Sequence, residues 1–278
     1  MNTAPTVPVQ FGARACAAGR GHRTALPLRL LDGLLLLLLP GLAAGAGLPV
    51  EKPRLNPNAE ADGRALVAEL LARQPTQNRT NSGVLSVRPA RGAGLRRELP
   101  LTVRVFVTPD GWVTQYEVAP SGSEPPIRLT ILRRPGQPND YRLVEGAPAI
   151  ERRLDGAAAM TPFAGSDFWV ADLGAEFLHW PTQRLVRREA RRGQACDVLE
   201  SVAPAGQTNG YARVTSWIDR DTGGIVFAEA FDSSGRLMRE FAPKSFKKVG
   251  GCWEVEEVEI MNQQTGSRTR LRLLFAEP

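Results

Sequence analysis

The chain has 278 residues, a formal net charge of +6, three cysteines and 42% hydrophobic residues. It is long enough to bury a sizeable core and too apolar to remain disordered. Without the four arginines and one aspartate of residues 1–46, the balance of basic to acidic residues falls from 35 against 29 to 31 against 28. So small and scattered an excess gives no basis for nucleic-acid binding.

Residues 34–39 are an unbroken leucine run, preceded by Arg14, Arg20, Arg23 and Arg29 and followed by Ala44-Gly45-Ala46. This is the charge, apolar core and small-x-small order of a secretory signal peptide, cleaved after Ala46. The apolar core, counted from Leu30, falls short of the roughly 20 residues that span a bilayer as a helix. No cysteine stands at the cleavage point, so the expected product is a soluble periplasmic protein without a lipid anchor. Residues 47–57, with Pro49, Pro53 and Pro57, read as a linker, and residues 58–278 as one domain.

Within 58–73, Ala61, Ala65, Leu66, Val67, Leu70 and Leu71 recur at helical spacing, which predicts an amphipathic helix with Asn58 as its N-cap and Pro75 beyond its end. After Gly83 the period changes to two. Residues 84–87, 101–108, 112–119, 127–133 and 141–144 read as strands, and so do 184–190, 196–202, 211–219, 225–232, 237–241, 253–261 and 269–275. Turns such as Pro109-Asp110-Gly111, Ser233-Ser234-Gly235 and Gln264-Thr265-Gly266 join antiparallel neighbours, so the expected fold is mainly β, a meander of hairpins.

One segment interrupts the meander. Asp167 leads into residues 168–180, where Trp169, Leu173, Phe177 and Trp180 share helical spacing up to Pro181. The expectation is a single helix whose aromatic stripe either packs on the sheet as core or covers a ligand cavity as a lid.

The chemistry-bearing residues are sparse. His179 is the one histidine after the leader, and no Gly-x-Ser-x-Gly elbow accompanies it, so a polar edge on the helix is the better reading than a catalytic base. His179, Cys196 and Cys252 lack the close ligand pairs of a zinc site, and no metal or other cofactor is expected. Asp219-Arg220-Asp221-Thr222-Gly223-Gly224 opens like a calcium loop, but its twelfth position is Ala230, so a hairpin turn explains it better. Alternation sends Glu254 and Glu256 to one strand face and Glu257 and Glu259 to the other, each expected beside Lys or Arg. Whether Cys196 and Cys252 form a disulfide depends on strand order, which spacing leaves open.

The order of helix, hairpins, Phe163-Ala164-Gly165-Ser166-Asp167-Phe168 insert, Trp217-Ile218-Asp219 to Thr222-Gly223, and Met261-Asn262 to Thr265-Gly266 resembles the outer-membrane lipoprotein-sorting family, which is LolA/LolB-like. The resemblance implies an unclosed antiparallel β-barrel, a half-barrel covered by a few helices. It also implies a periplasmic, monomeric carrier of acylated lipoproteins or another lipid, with envelope membrane-protein partners, that works by lid displacement without covalent chemistry. Bulky apolar residues on both faces of 211–219 and 225–232 suit such a half-barrel and equally a closed sandwich. The residues expected to form cavity and lid are Phe168, Trp169, Leu173, Phe177, Trp180, Trp217 and Phe227. The alternatives are an envelope protein-interaction or lipid-sensing module on the same fold, and a secreted hydrolase.

Overall fold

Residues alternating in polarity at every second position form strands, and short turns between them leave antiparallel pairing as the simplest arrangement. The computed structural model describes residues 56–120, 125–207, 210–249 and 252–275; the expected leader, its cleavage site and most of the expected linker lie outside them. A helix comes first, α1 (Ala59–Leu71), followed by β1 (Arg79–Arg88), β2 (Arg97–Thr108), β3 (Gly111–Val118), β4 (Ile127–Arg133), β5 (Asp140–Glu145) and β6 (Ile150–Leu154). After a long connection come β7 (Thr182–Arg191), β8 (Gln194–Val202), β9 (Arg213–Asp219) and β10 (Ile225–Phe231). The chain then closes with β11 (Leu237–Val249), β12 (Cys252–Asn262) and β13 (Arg268–Leu274).

All thirteen strands form one antiparallel sheet in the order β6-β5-β4-β3-β2-β1-β13-β12-β11-β10-β9-β8-β7. First and last strands meet at its centre, Leu85 opposite Leu271, and the two halves of the chain fan outwards from that seam. β6 and β7 end on opposite edges and do not pair, so the sheet is an unclosed half-barrel, as expected. The connection from β6 to β7 must therefore cross from one edge to the other, and it does so through the interior. α1 lies against β7, close enough that a Cβ on Gly63 would stand 2.5 Å from the Gln183 carbonyl oxygen, and it sends Val67 and Leu70 into the core.

Several expectations need correction. Residues 168–180 are not one helix: α2 (Val170–Gly174) stops at Ala175, which takes the left-handed conformation at φ 51°, and a 3-10 turn (Glu176–His179) continues from it. Just before the stop the chain packs against β5 so closely that only glycine fits, since a Cβ on Gly174 would fall 1.9 Å from the Tyr141 hydroxyl oxygen. Asn58 precedes α1 without capping it through its side chain; Asn56 instead accepts from the Asn58 amide at 3.0 Å and donates to Asp62 at 2.9 Å. β6 was not anticipated, because its Ile-Glu-Arg-Arg-Leu sequence is a charged edge without clean alternation.

Three of the four glutamates of β12 have the expected basic partners, Arg79 on Glu254, Arg270 and Arg272 on Glu257, and Lys244 with Arg270 on Glu259, whereas Glu256 accepts from the Ser245 hydroxyl at 2.9 Å. The arginine and lysine stems bury Glu254, Glu257 and Glu259 instead of leaving them solvated. Cys196 is a free, buried thiol. Three strands separate β8 from β12, a span of roughly 19 Å at about 4.8 Å per strand, which removes the Cys196–Cys252 bridge from consideration.

Candidate functional site

Every residue from 166 to 178 is buried. An amphipathic helix lying on a sheet would expose one side, so this segment is a plug set into the inner face of the half-barrel. Phe168, Trp169, Leu173, Phe177 and Trp180, the expected lid residues, all lie in it and join one continuous core with Leu85, Leu101, Leu199, Val214 and Ile260. Trp169 stacks on Tyr211 with ring centroids 4.5 Å apart, and Phe168 meets Phe241 edge-on at 6.5 Å.

Part of the plug's backbone is satisfied within the β6–β7 connection. The Val170 amide donates to the Thr161 carbonyl at 2.9 Å, Ala171 to Ala159 at 2.9 Å and Phe163 to Phe168 at 2.8 Å. Among the described residues, no backbone-to-backbone hydrogen bond joins 166–180 to the sheet. Side chains make the ties. Arg133 of β4 donates to the Leu173 carbonyl at 3.2 Å, Asn139 to the Gly174 carbonyl at 3.0 Å, and Tyr141 to Glu176 at 2.8 Å. On the other half of the sheet, Thr269 donates to the Asp167 carboxylate at 2.9 Å and Tyr211 to Asp172 at 3.2 Å. Arg239 sits over the Trp169 ring, 4.4 Å from its centroid, and 4.0 Å from Asp167.

Burial sets the electrostatics of these ties. It pushes the Asp172 carboxyl up to about 6, against the pull of Arg239 and of hydrogen bonds from the Trp169 amide and Tyr211. Burial also raises Glu176, opposed by hydrogen bonds from Tyr141 and Asn139 and by Arg133. His179 is lowered to about 4, first by burial and then by the Arg133 charge. An imidazole held neutral next to an arginine fits the polar-edge reading.

Trp217 and Phe227 are not part of this constellation. They pair across β9 and β10 and belong, with Cys196, Val198 and Ala242, to a separate cluster on the outer face of the sheet. The Arg191 guanidinium covers them, 4.3 Å from the Trp217 centroid and 3.8 Å from that of Phe227, and Glu189 accepts from the Trp217 indole. This explains the apolar residues on both faces of β9 and β10: the plug covers the inner ones and arginines the outer ones.

Arg133, Asn139, Tyr141, Tyr211 and Arg239, which hold the plug, escaped the sequence reading. The available signal was Asp172 and Glu176 inside an apolar stretch, acids that required buried partners. Beside the plug, a cavity of about 330 Å³ lies between α1, the β4–β5 turn and the 3-10 turn, lined by Leu70, Arg73, Trp112, Pro138, Leu178 and His179. A second, of about 520 Å³, lies at the opposite end between Val87, Leu95, Arg97, Gly165 and Asp167. Among the described residues no group of acids, histidines and cysteines is arranged to hold a metal ion.

A half-barrel whose concave face is filled by its own mid-chain connection is a LolA-like fold. The chain is similar, at 18% identity and a TM-score of 0.64, to a domain from Vibrio parahaemolyticus assigned to outer membrane lipoprotein sorting, over 78% of this chain and 92% of that one. A DUF1329 family protein from Desulfovibrio piger matches at 18% identity and a TM-score of 0.63, over 78% and 91% of the two chains. A LolA superfamily protein from Nitrosomonas europaea matches at 15% identity and a TM-score of 0.55, over 79% and 95%. A family model described as "Uncharacterized protein" matches residues 147–277. No curated protein matches the chain.

Proposed function

We propose that this chain is a periplasmic carrier that takes the acyl chains of lipoproteins, or of another lipid, onto the concave face of its half-barrel in place of the plug. One observation carries the reading: the plug is buried on all sides, yet side chains alone tie it to the sheet among the described residues. A segment that shares no backbone hydrogen bond with the strands leaves without orphaning their backbone groups, and only side chains such as Arg133, Asn139, Gln183 and Thr269 lose partners on it. The surface it uncovers, with Val214, Ala228, Phe241 and Ile260, is apolar and suits hydrocarbon.

In this reading Phe168, Trp169, Leu173, Phe177 and Trp180 are the side chains that the ligand displaces, while Trp217 and Phe227 stiffen the sheet from outside. Residues 1–46 direct export, the carrier acts as a monomer without covalent chemistry or cofactor, and membrane proteins of the envelope load and unload it. The fold shared with the Vibrio parahaemolyticus domain supports the class of cargo. A second reading, a module that binds another envelope protein, draws on the filled interior.

A removable staple separates the two. Asp167→Cys with Thr269→Cys, in a background lacking the other cysteines, places thiols where side chains now touch at 2.9 Å. Oxidation is expected to lower binding of a fluorescent fatty-acyl probe at least about tenfold, and reduction to restore it. Equal binding in both states would show that the plug does not gate the site, and the interaction module would then stand.

A further inference from the structure

Antiparallel pairing puts the β2–β3, β4–β5, β9–β10 and β11–β12 connections, the start of β1 and the end of β13 at one end of the sheet. Of the seven large hydrophobic side chains exposed among the described residues, five lie on strand segments at this end: Phe106, Val107, Phe246, Trp253 and Leu274. Phe246 and Trp253 are 50% and 49% exposed. Phe246 and Lys248 are two residues apart on β11, and Lys248 pairs directly with Trp253 on β12, so all three project from the same face of the hairpin.

The charge there is distinctive. The chain has four lysines against 31 arginines, and three of the lysines, Lys244, Lys247 and Lys248, fall within five residues of β11. Lys244 is committed to Glu259 at 2.7 Å, and Lys248 is exposed. A ring system with a polar N–H, flanked by phenylalanine and by a flexible ammonium group, matches a boundary where hydrocarbon gives way to phosphate. The 330 Å³ cavity beside the plug lies at this same end, among Trp112, Arg134 and Pro138.

We propose that this rim docks on an anionic phospholipid membrane, with Phe246 and Trp253 entering the headgroup boundary and Lys248, on the same face, meeting the phosphates, while Lys247 on the opposite face donates to the Phe275 carbonyl at 3.5 Å. The dock holds the cavity end of the half-barrel against the lipid surface. The inference extends the carrier reading to where cargo is exchanged, and it is tested without cargo.

The test is co-sedimentation of the purified protein with vesicles of phosphatidylglycerol and phosphatidylcholine, compared with phosphatidylcholine alone. Binding is expected on the anionic vesicles, weakened by salt. Because Trp112, Trp169, Trp180 and Trp217 are buried, a blue shift and quenching by brominated lipid should report Trp253. Phe246→Ser with Trp253→Ser is expected to lower binding at least tenfold, and Lys248→Gln roughly fivefold on anionic vesicles only. Phe246, Lys248 and Trp253 are all exposed, and an unchanged melting transition checks that the variants fold. Failure of the protein to bind anionic vesicles, or equal binding by the variants, would overturn the dock. Fatty-acyl probe binding in solution should be the same in all variants, so the carrier reading stands or falls separately.

Discussion

Asp172 and His179 stand on the same plug, and burial moves them in opposite directions, the carboxyl up to about 6 from 3.8 and the imidazole down to about 4 from 6.5. Between 3.8 and about 6, the folded protein keeps a proton on Asp172 that the unfolded chain releases, so this group's contribution to stability falls as pH rises. Between about 4 and 6.5, the unfolded chain protonates His179 and the folded one does not, so its contribution grows as pH rises. The two slopes oppose each other in nearly the same window. His179→Gln leaves Asp172, with Glu176 raised in the same direction, unopposed on the plug, and its stability is expected to increase on acidification from about pH 6.5 to pH 4; Asp172→Asn should tilt the profile the other way. The neighbouring charges, Arg239 near Asp172 and Arg133 near His179, remain in both variants. Urea midpoints across this range check the signs, and parallel profiles for the two variants would contradict the burial described.

At the scale of an element, α1 poses a contest that magnitudes decide. Glycine inside a helix costs about 1 kcal/mol relative to alanine, which by itself recommends Gly63→Ala. The new Cβ, however, would stand 2.5 Å from the Gln183 carbonyl oxygen and 2.7 Å from the Arg184 amide nitrogen, backbone atoms that cannot rotate away. Overpacking of this kind costs about 1–3 kcal/mol, so the clash should win and the helix should lift from β7. Hydrogen exchange is expected to quicken in α1 and β7 while the central strands keep their protection. A higher melting temperature for the variant would show that the helix does not rest on that strand. The plug carries a related lesson. The spacing of Trp169, Leu173, Phe177 and Trp180 marked a buried helical stripe, but the break at Ala175 lies beside a contact that spacing does not show, Gly174 against Tyr141, 33 residues away in sequence.

For the whole molecule, an open half-barrel has two edges, and each could pair with another chain. α1 covers β7. β6 is guarded by charge instead: Glu151, Arg152 and Arg153 are exposed, with Arg153 paired to Asp140 at 3.1 Å and Arg152 to Glu145. Replacing these three residues with threonine should leave the sheet folded and produce edge-to-edge association. Light scattering on the variant at rising concentration checks this, and a persistently monomeric variant would mean that something other than charge blocks the edge.

Local pattern alone was enough to read the helix at the start, most strands, the turns between them and the apolar stripe before Pro181, because period and turn chemistry act within a few residues. The register of thirteen strands decided the rest. It put β6 and β7 on opposite edges, which forces their connection through the interior, and it sent Trp217 and Phe227 to the outer face, away from the plug. It also brought Arg133 to Leu173, Thr269 to Asp167 and Arg239 to Trp169, contacts between residues at least 40 positions apart. A chain rich in arginine carries no local mark for the two that are buried among the described residues, Arg133 and Arg239, since burial follows from which strands become neighbours and not from the sequence around either residue.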